Sequence, residues 1–143
     1  MAIIVSGTPG TGKTRTARKL AKEKGYKYVN VNKIIAQNKE VISGYDKKRK
    51  SKIIDEKKLV KILVKLINDD KKVVIDSHLS HFIPKEYVEK CVITKTDLKK
   101  LKNRLKRRGY SKAKVEENLE VEIMDICLEE AKEKKHKIKI IKT

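Results

Sequence analysis

Eight residues near the start of the chain combine glycines, a lysine and a threonine at a spacing that suits phosphate chemistry. Gly7-Thr8-Pro9-Gly10-Thr11-Gly12-Lys13-Thr14 fits G-x-x-x-x-G-K-[ST] in full. In such a loop the glycines let successive backbone N–H groups converge into a nest for a β-phosphate, and the helix that follows adds its partial positive charge. Lys13 is placed to reach between β- and γ-phosphates, and the Thr14 hydroxyl to coordinate magnesium.

A second group lies at Val73-Val74-Ile75-Asp76-Ser77-His78-Leu79-Ser80-His81. An apolar strand ending in aspartate is the Walker-B pattern, in which the carboxylate holds or orients magnesium. His78 follows two residues later; it either orients a water or phosphate or is a capping or surface histidine. His81 reads as structural. A third group is Arg104-Leu105-Lys106-Arg107-Arg108-Gly109-Tyr110, where half of the chain's arginines fall at a helix–glycine–helix junction. The rigid guanidinium fork binds two phosphate oxygens at once, so one of these arginines is a candidate partner for a transferring phosphoryl group; the alternative is a solvated basic helix end.

These groups need a scaffold, and apolar periodicity supplies one. Residues 2–6 form a compact apolar run suited to a buried parallel strand. Lys13 to Lys24 reads as a helix with Ala17, Leu20 and Ala21 on one face and Gly25 past its end. Residues 26–31 form a second strand. Asp55 caps a helix whose stripe is Leu59, Ile62, Leu63, Leu66 and Ile67. Residues 72–75 form a third strand running into Asp76, and 88–94 a fourth. Asp97 opens a helix carrying Leu98, Leu101 and Leu105; Ser111 caps a last long helix expected to reach Lys134; residues 137–142 close as a fifth strand. Strands alternating with helices predict an α/β fold with a parallel sheet and right-handed crossovers. With no linker or repeat visible, residues 1–143 read as one domain.

Composition narrows the class. The 143 residues are 38% hydrophobic and 40% charged, yet contain only 2 prolines and 6 glycines, and the apolar residues are periodic, which excludes a disordered chain. No stretch approaches the roughly 18 apolar residues of a membrane helix. The opening Met1-Ala2-Ile3-Ile4-Val5-Ser6-Gly7 lacks the pattern of a signal peptide, and Cys91 and Cys127 lie far apart without CxxC. A cytoplasmic protein with reduced thiols and no membrane partner is expected. Lys and Arg number 38 against 19 Asp and Glu, a net charge of +19. Either a solvated lysine coat or attraction to a polyanion accounts for it. With five Tyr, one Phe and no Trp, stacking platforms for single strands are scarce.

The three motifs occur in order, followed by Glu116-Glu117-Asn118 and Glu129-Glu130-Ala131, and joined by Asn30-Val31-Asn32 and Gly44-Tyr45-Asp46. In these features the chain resembles the adenylate kinase isoenzyme 6 family, in an archaeal version, over nearly its whole length. The resemblance implies a three-layer P-loop nucleoside monophosphate kinase fold: a five-stranded parallel sheet flanked by helices, with a monophosphate-binding region at about 31–54 and a short lid at about 107–117. It implies transfer of the γ-phosphate of ATP to AMP with Mg2+, an ATPase activity, and maturation of small-subunit rRNA through a small-subunit ribosomal protein. An ATP-driven ribosome assembly factor with little adenylate kinase role is the alternative. By motif match, Gly10, Thr11, Gly12, Lys13, Thr14 and Arg15 fall on ATP-binding positions, Asp76 and His78 on the Walker-B-like pair, and Arg108 on the lid arginine, with Arg104 a possible companion. Thr14 and Asp76 fall on the magnesium positions. The family tends to carry an acceptor-gripping arginine after Asn30-Val31-Asn32; this chain has Lys33-Ile34-Ile35-Ala36-Gln37-Asn38 there, so Arg49 or a lysine is expected to serve. Relatives run on past Thr143, so loose base selectivity is expected.

Overall fold

The computed structural model of the chain describes residues 1–48 and 51–143. Strand β1, Ala2–Gly7, is buried along its whole length, as a strand covered on both faces must be. Helix α1, Lys13–Lys24, returns the chain to β2, Lys27–Asn30, and the short α2, Val31–Gln37. An antiparallel hairpin follows, β3 (Ile42–Asp46) with β4 (Ser51–Ile54). Helix α3, Glu56–Asp69, is capped by the Asp55 carboxylate, which accepts from the Lys58 N–H, and buries Leu59, Leu63 and Ile67. Then come β5, Val73–Asp76, and β6, Val88–Lys95, followed by α4 (Leu98–Arg107), α5 (Lys112–Ile123), α6 (Ile126–Glu133) and β7 (Ile138–Lys142).

The main sheet has the order β2-β5-β1-β6-β7, and every pair in it is parallel. Alternation along β1 divides the core. Ile4 joins Ile75, Ile93, Leu63, Ile67 and Ala131 on one face, beneath α3 and α6. Ile3 and Val5 join Val74, Val92, Ala17 and Ala21 on the other, beneath α1. A third cluster, Leu101, Leu105 and Val115, locks α4 onto α5. The α/β fold read from periodicity is therefore the observed one, with five parallel strands flanked by helices. Among the described residues, no helix is long and apolar enough to cross a membrane.

Two features depart from the sequence reading. The hairpin β3–β4 has no counterpart in it, and the expected single helix to Lys134 is broken into α5 and α6. At the break Asp125 takes a left-handed conformation, with φ at 51°. The cause is Lys95, whose ammonium donates to the Glu122 carbonyl at 3.0 Å and also binds the Asp125 carboxylate. That carbonyl also accepts from the Asp125 N–H at 3.2 Å, three residues on instead of four, and a short polar residue tolerates the left-handed turn there. Arg49, one of the residues expected to grip an acceptor phosphate, lies outside the described residues.

Candidate active site

In the parallel register Val5 lies opposite Asp76, so the glycine loop after β1 and the carboxylate ending β5 emerge side by side at the carboxyl edge of the sheet. Two of the loop glycines are required by space as well as by φ. A Cβ on Gly7 (φ +149°) would stand 2.5 Å from Thr94 Oγ1, and one on Gly10 (φ +92°) would stand 2.9 Å from Leu101 Cδ1. The loop thus wraps closely over β6 and α4.

Above it opens a cleft of about 720 Å3 lined by Lys13, Thr14, Arg15, Asp76, His78 and Arg108, with Gly10 and Gly12 in its floor. Thr14 Oγ1 donates to Asp76 Oδ2 at 2.7 Å, and the Tyr28 hydroxyl donates to the same oxygen at 2.9 Å. Lys13 Nζ donates only a long bond to the Thr8 carbonyl, at 3.3 Å. Burial brings the Lys13 pKa down to about 8 although Asp76 pulls the other way. His78 faces the open cleft; the crowding of the cleft walls, then the Lys13 ammonium, lower its pKa and keep the imidazole neutral.

Not every residue picked from the motifs reaches this cleft. The side chain of Thr11 is fully buried, its hydroxyl donating to the Thr8 carbonyl at 2.6 Å and pairing with Thr94 Oγ1 at 2.7 Å. It braces the loop from below. Arg104 turns away from Lys13 as well, its guanidinium donating to the Gly10 carbonyl at 3.2 Å and to Thr143 Oγ1 at 3.0 Å. That arginine ties loop, α4 and β7 together, which leaves Arg108 as the arginine of the junction that lines the main cleft. His81 is buried and structural: its Nδ1 lies 2.7 Å from Ser6 Oγ, and its carbonyl accepts from His136 Nε2 at 2.9 Å.

Glu122 escaped the motif reading. Its buried carboxylate accepts from the Thr8 hydroxyl at 3.1 Å, from Lys95 Nζ at 2.8 Å and from the Thr96 N–H at 2.9 Å. A signal was present, since Glu122 falls seven residues after the buried Val115, on the inward stripe of α5. Arg18, four residues after Thr14, was missed too; its guanidinium stands 5.3 Å from the Tyr28 ring centre at the far side of the cleft.

Comparison with known proteins agrees with this geometry. Residues 3–125 match the family described as an AAA domain. The chain is 40% identical to the adenylate kinase isoenzyme 6 homolog FAP7 of Saccharomyces cerevisiae, over 92% of its own length and 66% of the relative's. It is 39% identical to the adenylate kinase isoenzyme 6 homolog of Schizosaccharomyces pombe, over 92% of its own length and 74% of the relative's. Its fold is similar to that of shikimate kinase from Acinetobacter baumannii, solved with shikimate, with a TM-score of 0.66 at 17% identity, covering 99% of this chain and 83% of that one. The chain belongs to the adenylate kinase isoenzyme 6 family of P-loop proteins.

Proposed function

We propose that the protein is a nucleoside monophosphate kinase that transfers the γ-phosphoryl group of ATP to AMP, giving two ADP. The observation that carries this reading is the convergence of Lys13, Thr14 and Asp76 on one cleft: a lysine ammonium with a hydroxyl and a carboxylate 2.7 Å apart. The same site serves the alternative discussed below.

Hydroxyl and carboxylate oxygens are hard donors of the kind Mg2+ takes, and one carboxylate with one hydroxyl leaves the remaining positions for phosphate and water. Thr14 would hold the ion directly and Asp76 would hold or orient it, and when bound it would neutralise phosphate charge. Gly10, Gly12 and the Thr11 backbone shape the nest for the β-phosphate, and Lys13 spans the β- and γ-phosphates. Arg15 and Arg108 flank the phosphates. As a phosphate oxygen of the monophosphate bonds to the γ-phosphorus, the bond from that phosphorus to the β-phosphate oxygen breaks, and charge gathers on oxygens facing Lys13 and Arg108. No covalent enzyme intermediate is needed, because placement and electrostatics lower the barrier. In this reading residues 31–54 receive the monophosphate and residues 107–117 act as a short lid on a single domain.

One feature favours a second use of the same site. His78 presents a neutral imidazole to the cleft, which suits the orientation of a water for ATP hydrolysis. Together with the net charge of +19, it supports an ATPase-driven role in the cytoplasm, in maturation of the small ribosomal subunit, with a ribosomal protein and rRNA as partners. The test is ADP formation from ATP and Mg2+ with and without AMP. Strong stimulation by AMP, with two ADP formed per ATP consumed, is the expected result. Turnover indifferent to AMP would leave the assembly ATPase as the reading to keep.

A further inference from the structure

From the arrangement of its arginines we infer that Arg18, on α1, grips the phosphate of the acceptor monophosphate. The inference rests on the phosphotransfer reading above, and goes beyond it by assigning the acceptor contact to a residue outside the 31–54 region.

Two hollows lead away from the loop, toward opposite edges of the sheet. The main cleft runs toward the β2 edge, where it meets Asn30 and Asn32. A groove of about 360 Å3 runs the other way, past Thr16 and Arg104 to Thr143, beyond β7. In-line transfer requires donor and acceptor on opposite sides of the γ-phosphorus. The groove that starts from the outer wall of the loop suits the donor's nucleoside, and the β2 side is left for the acceptor.

Among the described residues, the cations that line the main cleft are Lys13, Arg15, Arg18 and Arg108. Lys13 belongs to the loop itself, and Arg15 and Arg108 also line the groove beyond β7. Arg18 lines the main cleft and not the groove, together with Asn30 and Asn32. No carboxylate among the described residues forms an ion pair with it.

Its position is well defined. Thr14 and Arg18 stand one helical turn apart on the same face of α1. The Arg18 guanidinium lies over the Tyr28 ring, at 5.3 Å, and the Tyr28 hydroxyl is bonded to the Asp76 oxygen that also receives Thr14. The platform under the guanidinium is thus anchored to the same carboxylate that marks the phosphate end of the site. A guanidinium held beside this ring and its hydroxyl spends part of its five-donor fork on Tyr28 and has further N–H groups for two phosphate oxygens, which is what an acceptor phosphate offers. Asn30 and Asn32 add neutral donors beside it.

The test is steady-state kinetics of Arg18→Ala and Arg18→Lys at saturating Mg2+ and ATP, with AMP varied, alongside the reverse design with ATP varied. Arg18 is exposed, so both variants are expected to fold, and thermal melts check it. Arg18→Ala is expected to raise KM for AMP by about 10- to 100-fold, the range for a lost charge-assisted contact, with KM for ATP within about twofold of the parent. Arg18→Lys is expected to recover part of the loss, since charge returns without the fork. Direct binding of AMP, measured by calorimetry, should weaken in the same order. An unchanged KM and unchanged AMP binding in Arg18→Ala would overturn the inference while the kinase reading stands, and so would equal rises in both KM values, which would mark a general distortion of α1. Failure of the parent protein to phosphorylate AMP at all would overturn both together.

Discussion

The Thr8 hydroxyl donates to the Glu122 carboxylate at 3.1 Å, linking the second residue of the glycine loop to the last turn of α5. Through Thr8 the link continues to Lys13, whose ammonium bonds the Thr8 carbonyl, so a helix remote in sequence helps to set the height of the reactive lysine.

Removing that carboxylate leaves the Lys95 ammonium and the Thr96 N–H without it in a largely buried place. Lys95 keeps Asp125 and the Glu122 carbonyl, so Glu122→Ala is expected to cost about 1–3 kcal/mol, the range for leaving a buried donor such as the Thr96 N–H unsatisfied. Glu122→Gln keeps the shape and loses less. Urea unfolding of the two variants checks the order; equal stability of Glu122→Ala and the parent would show that the network contributes nothing net.

Lys13→Ala is expected to lower phosphotransfer by at least about 100-fold with an unchanged circular dichroism spectrum, because it removes a charge aimed at the developing transition state. Near-normal turnover in that variant would sink the phosphate-loop mechanism.

The arginines of the α4–α5 junction should separate by variant. Arg108→Lys is expected to lower kcat by about 10-fold, since a point charge replaces a two-pronged fork facing the cleft. Arg104→Lys is expected to act on stability, by about 1–2 kcal/mol, because its partners are the Gly10 carbonyl, Thr96 and Thr143. The opposite pattern, a catalytic loss at Arg104 and none at Arg108, would reverse the two roles.

Asp76→Ala is expected to depress AMP phosphorylation and ATP hydrolysis together, and chelation of Mg2+ should silence both in the parent. His78→Ala is expected to lower hydrolysis more than transfer, because the acceptor phosphate is itself a capable nucleophile and water needs orienting. Equal losses in the two assays would mean that His78 positions the shared phosphates or supports the turn.

What the sequence discloses and what it hides follow from distance along the chain. The loop was legible because every group it needs lies within Gly7–Thr14 and β1 precedes it directly; Asp76 was legible because the apolar run of β5 ends on it. Arg104 and Arg108 look equivalent as text, yet one sits inside the last turn of α4 and the other is its cap, so their side chains leave in different directions. The break at Asp125 depends on Lys95, thirty residues earlier and on another element, which no local pattern carries. The β3–β4 hairpin was illegible because its strands are short and expose Tyr45 and Ile53, giving little of the alternation that marks a half-buried strand. Arg18 reads as one more basic residue on a solvated helix face until β2 brings Tyr28 beneath it.

The strand order also governs how the protein comes into being. The loop-bearing strand β1 is synthesised well before its partners in the sheet, β5 and β6, which lie much later in the chain. Until residues through Lys95 have been made, β1 has no complete lattice to enter, and its apolar side chains wait in a growing polypeptide. Closing such distant pairings is entropically slow, so the onset of phosphate binding should coincide with a late, cooperative collapse of the sheet and not with the early appearance of the motif. A nascent chain ending before β6 carries every letter of the glycine motif and still lacks the surface against which Gly7 and Thr11 are pressed.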